Sequence, residues 1–354
     1  MEKVKPYSDP QTASPLCQIP RELRDQILIC LLTSTRISFG KRRTSRMKSK
    51  SIKPAPHALA ILRTCRLIHE ETKFLWLPHV LFHFERPEDL LDKLSPLHPT
   101  TLSQIRYLRT GGAPLVLQPI DDDDDVYYRL AYTLKLLPGL SLNTLTVLGP
   151  SDGPIAYDTL DGLIEYGNGW RELHFITPNS SMLSFKKIDL FMAPPYWRKP
   201  QPASWNEILA RRDGEGSGSS VTIYRATQLR QGSVIDNRTR QIFDQKAVAN
   251  FGVEDDKELS ALDEAEKELL VVVKRGQTTN IAEPDGPPFL LENDIRHWSY
   301  PMTWTEIRRR CIDHIGEFDD FDDDDDLFSS SGDEIEIDYH DDFAGYKWPD
   351  RITI

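Results

Sequence analysis

Cysteine is scarce and scattered in this chain, which limits the frameworks that it can form. Four cysteines occur in 354 residues, and no two of them stand at the close spacing of a metal or redox motif. A disulfide framework is therefore not expected, and a reducing compartment is favoured. We expect an intracellular protein of the nucleus or the cytoplasm. The cysteines are Cys17, Cys30, Cys65 and Cys311.

Long apolar runs are missing as well. No stretch approaches the roughly eighteen consecutive apolar residues that a membrane helix needs. The opening residues, MEKVKPYSDPQ, lack the apolar core of a secretory signal. The sequence therefore predicts neither a membrane span nor a membrane partner.

The sequence also lacks the short motifs that mark common active sites, such as a nucleophile elbow, a Walker loop, a dinucleotide fingerprint or a zincin motif. The glycine- and serine-rich residues 214–220 contain no lysine and lead into a strand pattern, so they indicate a flexible loop. Aspartates 121–125 do not begin an EF-hand, because Val126 and Tyr132 stand where glycine and glutamate are required. We expect no catalytic residue, no metal, no cofactor and no small-molecule substrate.

Acidic residues are missing from residues 36–53, which hold eight lysines and arginines. Such a block repels itself and buries little apolar surface, so it predicts an unfolded basic loop. Three interpretations stay open: a nuclear-import signal or a contact with phosphate backbones, a solvated loop, and a loop that folds back on an acidic segment. This basic patch consists of Arg36, Lys41, Arg42, Arg43, Arg46, Lys48, Lys50 and Lys53.

The opposite imbalance occurs in residues 317–342, which hold fourteen acidic residues and no lysine or arginine. Because the whole chain carries a net charge of −12, the remainder of it is close to neutral. The charge and the low complexity predict a disordered acidic tail over residues 317–354. Within it, Ser330 and Ser331 each have an acidic residue three positions later, a spacing that suits phosphorylation by an acid-directed kinase.

Two segments with helical periodicity frame the N-terminal part of the chain. In residues 19–32, Leu23, Ile27 and Leu31 recur at i, i+4 and i+8 and form one apolar stripe. Residues 57–78 carry a second stripe, which a proline ends. The sequence predicts two amphipathic helices that pack on each other.

This pair of segments resembles an F-box, through the motif IPREL, the Ile-Leu and Leu-Leu that follow it, and the motif LRTCR. More closely, it is similar to the F-box-like proteins of filamentous fungi, which have a long insertion between the two helices. Ile68 and His69 stand where the family usually has a tryptophan. The resemblance implies docking to the Skp-type adaptor of a cullin ubiquitin ligase. By motif position, the adaptor-docking residues are Ile19, Pro20, Leu23, Ile27, Leu31 and Leu62.

Further along the chain, helical patterns alternate with short apolar strands, which favours a parallel sheet with helical crossovers. The strand spacing is too irregular for a regular solenoid, so we expect an irregular layer that is leucine-rich-repeat-like at most. The blocks GNGWRELHFIT and QPASWNEILARRDGEGSGSSVTIYR also resemble recurring blocks of the same fungal proteins. Strands are predicted at 80–84, 105–110, 142–148, 170–177 and 220–227, and helices at 126–137, 158–166 and 204–212.

Two more helices are predicted in the C-terminal third. Residues 255–274 combine an acidic first turn with an apolar side. Residues 303–315 begin with a capping box formed by Thr303 and Glu306. Both helices need a surface to cover their apolar faces, so we expect them to dock on the α/β layer.

The predicted fold class is α+β: an N-terminal F-box-like helical module, an irregular α/β, leucine-rich-repeat-like layer and a disordered acidic C-terminal tail. The predicted function is a non-enzymatic interaction protein that presents an unknown protein client to a ubiquitin ligase. The alternative is a nuclear nucleic-acid-associated protein that uses the basic patch, with the acidic tail as an intramolecular competitor. The predicted divisions are a flexible N-terminus 1–15, the module 16–84 with a basic loop 33–56, the layer 85–227, a partly helical extension 228–316 and the tail 317–354.

Overall fold

A computed structural model describes most of the chain up to residue 312. The acidic tail, the phosphorylation candidates Ser330 and Ser331, and the basic residues Arg46 and Lys53 lie outside the described residues. The described ranges are 14–44, 48–52, 59–119, 125–184, 200–245, 259, 261–286, 295–296 and 302–312.

A mixed sheet of nine strands organises the fold, in the spatial order β10-β9-β11-β8-β7-β4-β3-β1-β2. A separate two-stranded hairpin consists of β5 and β6. The strands are β1 Arg36–Thr44, β2 Lys48–Ile52, β3 Leu81–Phe84, β4 Tyr107–Gly111, β5 Leu115–Leu117, β6 Val126–Tyr128, β7 Leu142–Leu148, β8 Trp170–Thr177, β9 Ser220–Ala226, β10 Arg240–Ile242 and β11 Leu269–Lys274.

Ten α-helices accompany the strands within the described ranges, several of them only one turn long. Short 3-10 turns occur at Ala60–Arg63, Leu134–Leu136 and Ser181–Leu183. The helices are α1 Pro15–Gln18, α2 Arg21–Thr33, α3 Arg66–Thr72, α4 Pro87–Leu94, α5 Pro99–Leu102, α6 Leu130–Thr133, α7 Gly153–Glu165, α8 Ala203–Asp213, α9 Leu262–Ala265 and α10 Trp304–Cys311.

The predicted parallel sheet with helical crossovers is confirmed for one half of the sheet. Strands β1, β3, β4, β7 and β8 are parallel neighbours, and they follow one another in chain order. Because crossovers between parallel strands are right-handed, such an order places the connecting helices on the same face. The main core lies on that face, where Phe84, Val147 and Phe175 are buried beneath Leu91 of α4 and Leu160 of α7.

The other face of the sheet is polar along its parallel half. His83, Arg109, Thr146 and His174 stand opposite one another on four neighbouring strands, and all four are buried. His174 Nε2 lies 2.7 Å from Glu172 Oε1, and this hydrogen bond lowers the pKa of Glu172. Because these side chains are covered, the row is part of the interior and does not form an open surface.

Buried ion pairs fix the chain at the end of the sheet where β8 begins. Arg275 Nη2 lies 2.7 Å from Asp213 Oδ1, and the guanidinium stands over the ring of Trp170. Nearby, Lys135 Nζ lies 3.1 Å from Glu283 Oε1. Burial lowers the pKa of Lys135, although the carboxylate of Glu283 acts in the opposite direction. The contacts join segments that are far apart in sequence.

The predicted basic loop is wrong for residues 36–44 and 48–52, because they form the strands β1 and β2. Residues 36–39 of β1 pair in parallel with β3, and residues 40–44 pair in antiparallel with β2. The parallel neighbour supplies backbone partners that the local charge pattern cannot reveal. Strand β3, which was expected to close the N-terminal module, lies between β1 and β4, so one sheet continues from the N-terminal part into the layer.

Two of the predicted helices are also wrong. Residues 269–274 form β11, between β8 and β9. Of the helix predicted over 255–274, the described residues are helical at 259 and in the single turn α9. Residues 126–137 divide into β6, α6 and a 3-10 turn. The helix α10 is confirmed together with its capping box of Thr303 and Glu306.

Candidate protein-docking surface

The helix α2 has two neighbouring rows of large side chains, and the fold buries only one of them. The buried row consists of Arg24, Leu28 and Leu32. Each of these residues follows an exposed one by a single position, so the exposed row lies about 100° away around the helix. In that exposed row, Leu23 is 50% exposed, Ile27 is 50% exposed and Leu31 is 43% exposed.

These exposures matter because water contact with large apolar side chains is unfavourable. Full burial of a leucine or isoleucine side chain is worth about 1.5–3 kcal/mol. Since half of the surface of Leu23 and Ile27 stays in contact with water, a substantial part of that free energy is still available to a partner. A contiguous row of this kind is typical of a protein interaction site.

Arg24 connects α2 to α3. Its Nε donates to Glu71 Oε2 at 2.9 Å and its Nη2 donates to Glu71 Oε1 at 2.5 Å. Its Nη1 donates to the carbonyl oxygens of Ile19 at 2.5 Å and Cys17 at 3.2 Å. Both oxygens of Glu71 are thus engaged by one planar guanidinium, which is a geometrically specific arrangement.

The pKa values of this pair follow from the same contact. The hydrogen bond from Arg24 lowers the pKa of Glu71, and the hydrogen bond to Glu71 raises the pKa of Arg24. Each group favours the charged form of the other. The pair is therefore fully charged near neutral pH.

The helix α3 also carries an exposed apolar side chain, Leu67. Leu67 lies one helical turn before Glu71, so both are on the side of α3 that contacts α2. Leu67 is 40% exposed. Leu23, Ile27, Leu31 and Leu67 together are named the outer apolar face. Phe74, two residues beyond the end of α3, is also exposed, with Lys73 Nζ 5.2 Å from its ring centre.

A contact between thiols joins α1 to the start of α3. Cys65 is the N-cap of α3, where its Sγ accepts from the backbone N–H of Ile68 at 3.5 Å. The pKa of the Cys17 thiol is raised, mainly by burial and also by a hydrogen bond with Cys65. Both cysteines are free thiols. The prediction of one continuous helix over 57–78 is wrong, because the extended backbone of Cys65 separates the 3-10 turn from α3.

The remaining docking residues predicted from the sequence lie at the margins of this surface. Ile19 is half-buried in the link between α1 and α2. Pro20 is exposed and stands at the N-cap of α2, one position before the predicted first turn. Leu62 is half-buried in the 3-10 turn, and its carbonyl oxygen lies 3.0 Å from His69 Nδ1.

Neither the exposed Leu67 nor the Arg24–Glu71 pair was predicted from the sequence. The stripe predicted for residues 57–78 contains Ile68 and Thr72, which are the buried residues of α3, so it identified the core side of this helix and not the side that carries Leu67. The spacing of Leu67 and Glu71, four residues apart, is the signal that could have identified this side. The signal that could have identified Arg24 is its position in the row that continues with Leu28 and Leu32.

The described residues of the basic patch belong to the strands β1 and β2. Arg36 is half-buried and begins β1, opposite Leu81 of β3. The structure brings five patch residues into the antiparallel pairing of β1 with β2: Lys41, Arg42, Arg43, Lys48 and Lys50.

Among the described residues, no group of three or more histidine, cysteine, aspartate or glutamate side chains is arranged to hold a metal ion. No helix in the described ranges is long and apolar enough to cross a bilayer. Comparison with protein-family models, curated proteins and solved structures gives no significant match to this chain.

Proposed function

We propose that the outer apolar face docks the Skp-type adaptor of a cullin ubiquitin ligase. In this proposal the chain is a non-enzymatic substrate-recognition subunit. The F-box resemblance of IPREL and LRTCR supplies the identity of the adaptor, and the exposure of the face supplies the contact surface.

One observation supports the proposal more than any other. Leu23, Ile27 and Leu31, the residues to which the resemblance assigns adaptor contact, are exposed, while the neighbouring Leu28 and Leu32 are buried. Had the chain's own core covered the trio, no contact surface would remain for an adaptor.

The opposite end of the sheet is the proposed site for the protein client. Helix α2 leads directly into β1, whereas β10 is the far edge strand of the sheet. Seven strand spacings of about 4.8 Å separate β10 from β1, a distance of roughly 34 Å. Ile242 of β10 is 64% exposed, and Leu229 in the preceding loop is 58% exposed. An adaptor and a client could therefore bind without steric overlap.

Affinity purification of the intact chain tests the adaptor proposal. The test variant is Leu23→Asp with Ile27→Asp, and the matched control is Leu229→Asp with Ile242→Asp, which changes two equally exposed apolar side chains. The wild type and the control are expected to capture cullin-ligase subunits, and the test variant is expected to lose them. Circular dichroism must show that all three proteins are folded.

The size of the effect follows from apolar burial. Because Leu23 and Ile27 are already half covered, a partner can gain about 0.8–1.5 kcal/mol from each side chain, so each substitution is expected to weaken affinity by roughly four- to twelvefold. Equal capture of the ligase subunits by the test variant and the wild type would refute the assigned surface. If the wild type also captured no ligase subunits, the proposal that this chain binds a Skp-type adaptor would be refuted.

A further inference from the structure

Two free thiols contact each other between α1 and α3. Cys17 lies in α1 and Cys65 directly precedes α3, and a hydrogen bond joins the two thiols although they are far apart in the sequence. Both side chains are half-buried, so both remain partly accessible to solvent. The other two thiols lie on different helices: Cys30 is exposed on α2, and Cys311 is buried on α10.

Further contacts hold the two cysteines in place. Cys65 is the N-cap of α3, where its Sγ accepts from the backbone N–H of Ile68. Arg24 donates to the carbonyl oxygen of Cys17 and also pairs with Glu71 of α3. One guanidinium therefore connects the backbone of Cys17 to the helix that Cys65 caps.

The arrangement of the two side chains suits a covalent link. Cysteines can be bridged without backbone movement only where their side chains point towards each other at close range. The hydrogen bond between the two thiols places them in this arrangement. The helix α1 is a single turn with no buried residue, so little packing opposes the last small shift that a bond requires.

A metal site is not the chemistry that this pair supports. Protein sites for zinc use at least three side-chain ligands. In the part of the chain that the structure describes, no third histidine, cysteine or carboxylate joins the two thiols in a group that could hold a metal ion. The pair is therefore suited to forming a bond between its own sulfur atoms.

We propose that Cys17 and Cys65 form a reversible disulfide when the glutathione pool around the protein becomes oxidised. In a reducing compartment such disulfides are transient and sense the redox state, whereas permanent disulfide frameworks are rare. The pair of free thiols is then the resting form of the protein. Oxidation joins α1 to α3 covalently.

The oxidant in this reaction is oxidised glutathione, and the exchange proceeds in two steps. One protein thiol loses its proton and attacks a glutathione sulfur, which forms a mixed disulfide and releases one glutathione thiolate. The second protein thiol loses its proton and attacks the protein sulfur of the mixed disulfide, which releases the other glutathione thiolate. The two thiolates take up the two protons. The protein is thus oxidised by two electrons, and one oxidised glutathione is reduced to two glutathione molecules.

The disulfide is expected to stabilise the helices that carry the outer apolar face. The loop that it closes contains all of α2, together with β1 and β2, because these elements lie between Cys17 and Cys65 in the sequence. Closing a long loop restricts the unfolded chain more than the folded one. The oxidised protein is therefore expected to melt at a higher temperature than the reduced protein.

Redox titration of the purified full chain, in buffers of increasing ratio of oxidised to reduced glutathione, tests the pair. After alkylation of the remaining thiols and proteolysis, mass spectrometry is expected to find Cys17 and Cys65 in one linked pair of peptides. Because the second step is intramolecular, half-oxidation of the pair is expected at a ratio at least about tenfold lower than half-glutathionylation of Cys30. Thermal denaturation of the oxidised protein measures the rise in Tm.

The test variant is Cys17→Ser, which is expected to give no linked peptides and no rise in Tm on oxidation. The matched control is Cys30→Ser, which removes a more exposed thiol and is expected to keep both responses. Should Cys17→Ser fail to fold, Cys65→Ser takes its place, because serine is itself a favoured N-cap residue.

Three results would overturn the proposal. The first is the absence of the linked peptides from the wild type, whether the two cysteines stay reduced or take up glutathione separately. The second is a disulfide between two chains in place of one within the chain, which the intact mass under non-reducing conditions would reveal. The third is an equal rise in Tm on oxidation for Cys17→Ser and the wild type. None of these measurements uses the adaptor, so this proposal and the proposed function succeed or fail separately.

Discussion

Arg24 and Glu71, which are 47 positions apart in the sequence, form an ion pair with two hydrogen bonds between α2 and α3. Their side chains are almost completely buried, at 8% exposure each. The same guanidinium binds the carbonyl oxygens of Cys17 and Ile19, so one side chain holds α1, α2 and α3 together. The pair therefore fixes the position of α3, which carries Leu67, relative to α2.

The pair predicts an acid-sensitive contribution to stability. The pKa of Glu71 is lowered in the folded protein, so its stabilisation is fully present above the unfolded value of about 4.3 and is lost as pH falls through the folded value. Thermal denaturation between pH 6 and pH 3 is expected to show a smaller acid-induced drop in Tm for Glu71→Gln than for the wild type. At pH 6 the variant is expected to melt at a lower temperature.

Glu70→Gln is the matched control for this measurement. Glu70 pairs with Lys73 at the surface, and that hydrogen bond also lowers its pKa. Exposed pairs contribute little to stability, so Tm is expected to change little at either pH. A larger loss of Tm at pH 6 for Glu70→Gln than for Glu71→Gln would contradict the assigned role of Arg24.

Adjacent positions on α2 are expected to respond very differently to truncation. Leu28 is 1% exposed, so Leu28→Ala removes a packed side chain and is expected to cost about 2–5 kcal/mol of unfolding free energy. Ile27 is half exposed, and Ile27→Ala is expected to cost less than about 1 kcal/mol. Urea denaturation of both variants measures the difference, and equal costs would show that the two rows of α2 are assigned incorrectly.

Two glycines are expected to change stability in opposite directions when replaced by alanine. At Gly111, a Cβ would stand 2.4 Å from the carbonyl oxygen of Glu85, so Gly111→Ala forces β4 away from β3. At Gly162, inside α7, the nearest atom is the Cβ of Ala131 at 3.8 Å, which is ordinary contact. Gly162→Ala is expected to raise the unfolding free energy by up to about 1 kcal/mol.

Thermal denaturation of the two alanine variants checks this pair. A Tm below that of the wild type for Gly111→Ala and above it for Gly162→Ala is the expected result. A stabilised Gly111→Ala protein would mean that the edges of β3 and β4 approach less closely than described.

The buried pair of Asp213 and Arg275 is expected to be costly to break. Asp213→Asn leaves the guanidinium of Arg275, whose side chain is 2% exposed, without its compensating charge. Such a loss typically costs about 3–5 kcal/mol. The exposed pair of Arg129 and Asp158 provides the control, since Asp158→Asn is expected to cost less than about 1 kcal/mol. Chemical denaturation that gave equal values would contradict the structural role of Asp213.

The local sequence predicted those strands that alternate with clear helical patterns. The bounds 142–148 and 170–177 agree with β7 and β8 to the residue. The sequence LLVVVK of β11 was mistaken for helix because five of its six residues are buried, so no alternation of polar and apolar residues marks it. β1 was missed because four of its nine residues are basic and its partner β3 lies 45 positions away in the sequence.

The candidate surface was predictable only in part. The spacing of Leu23, Ile27 and Leu31 identified an apolar row, but periodicity cannot tell whether such a row faces the core or water. That answer depends on the neighbouring row of Leu28 and Leu32, which also has helical spacing. The choice between the two rows is made by long-range packing against the sheet.

Gel filtration of the purified chain mixed with a purified Skp-type adaptor tests the central claim most directly. The wild type is expected to elute with the adaptor as one complex, and the variant Leu23→Asp with Ile27→Asp is expected to elute separately while remaining folded. Separate elution of the wild-type chain and the adaptor at concentrations well above 1 μM would contradict the claim that the outer apolar face is an adaptor-docking site.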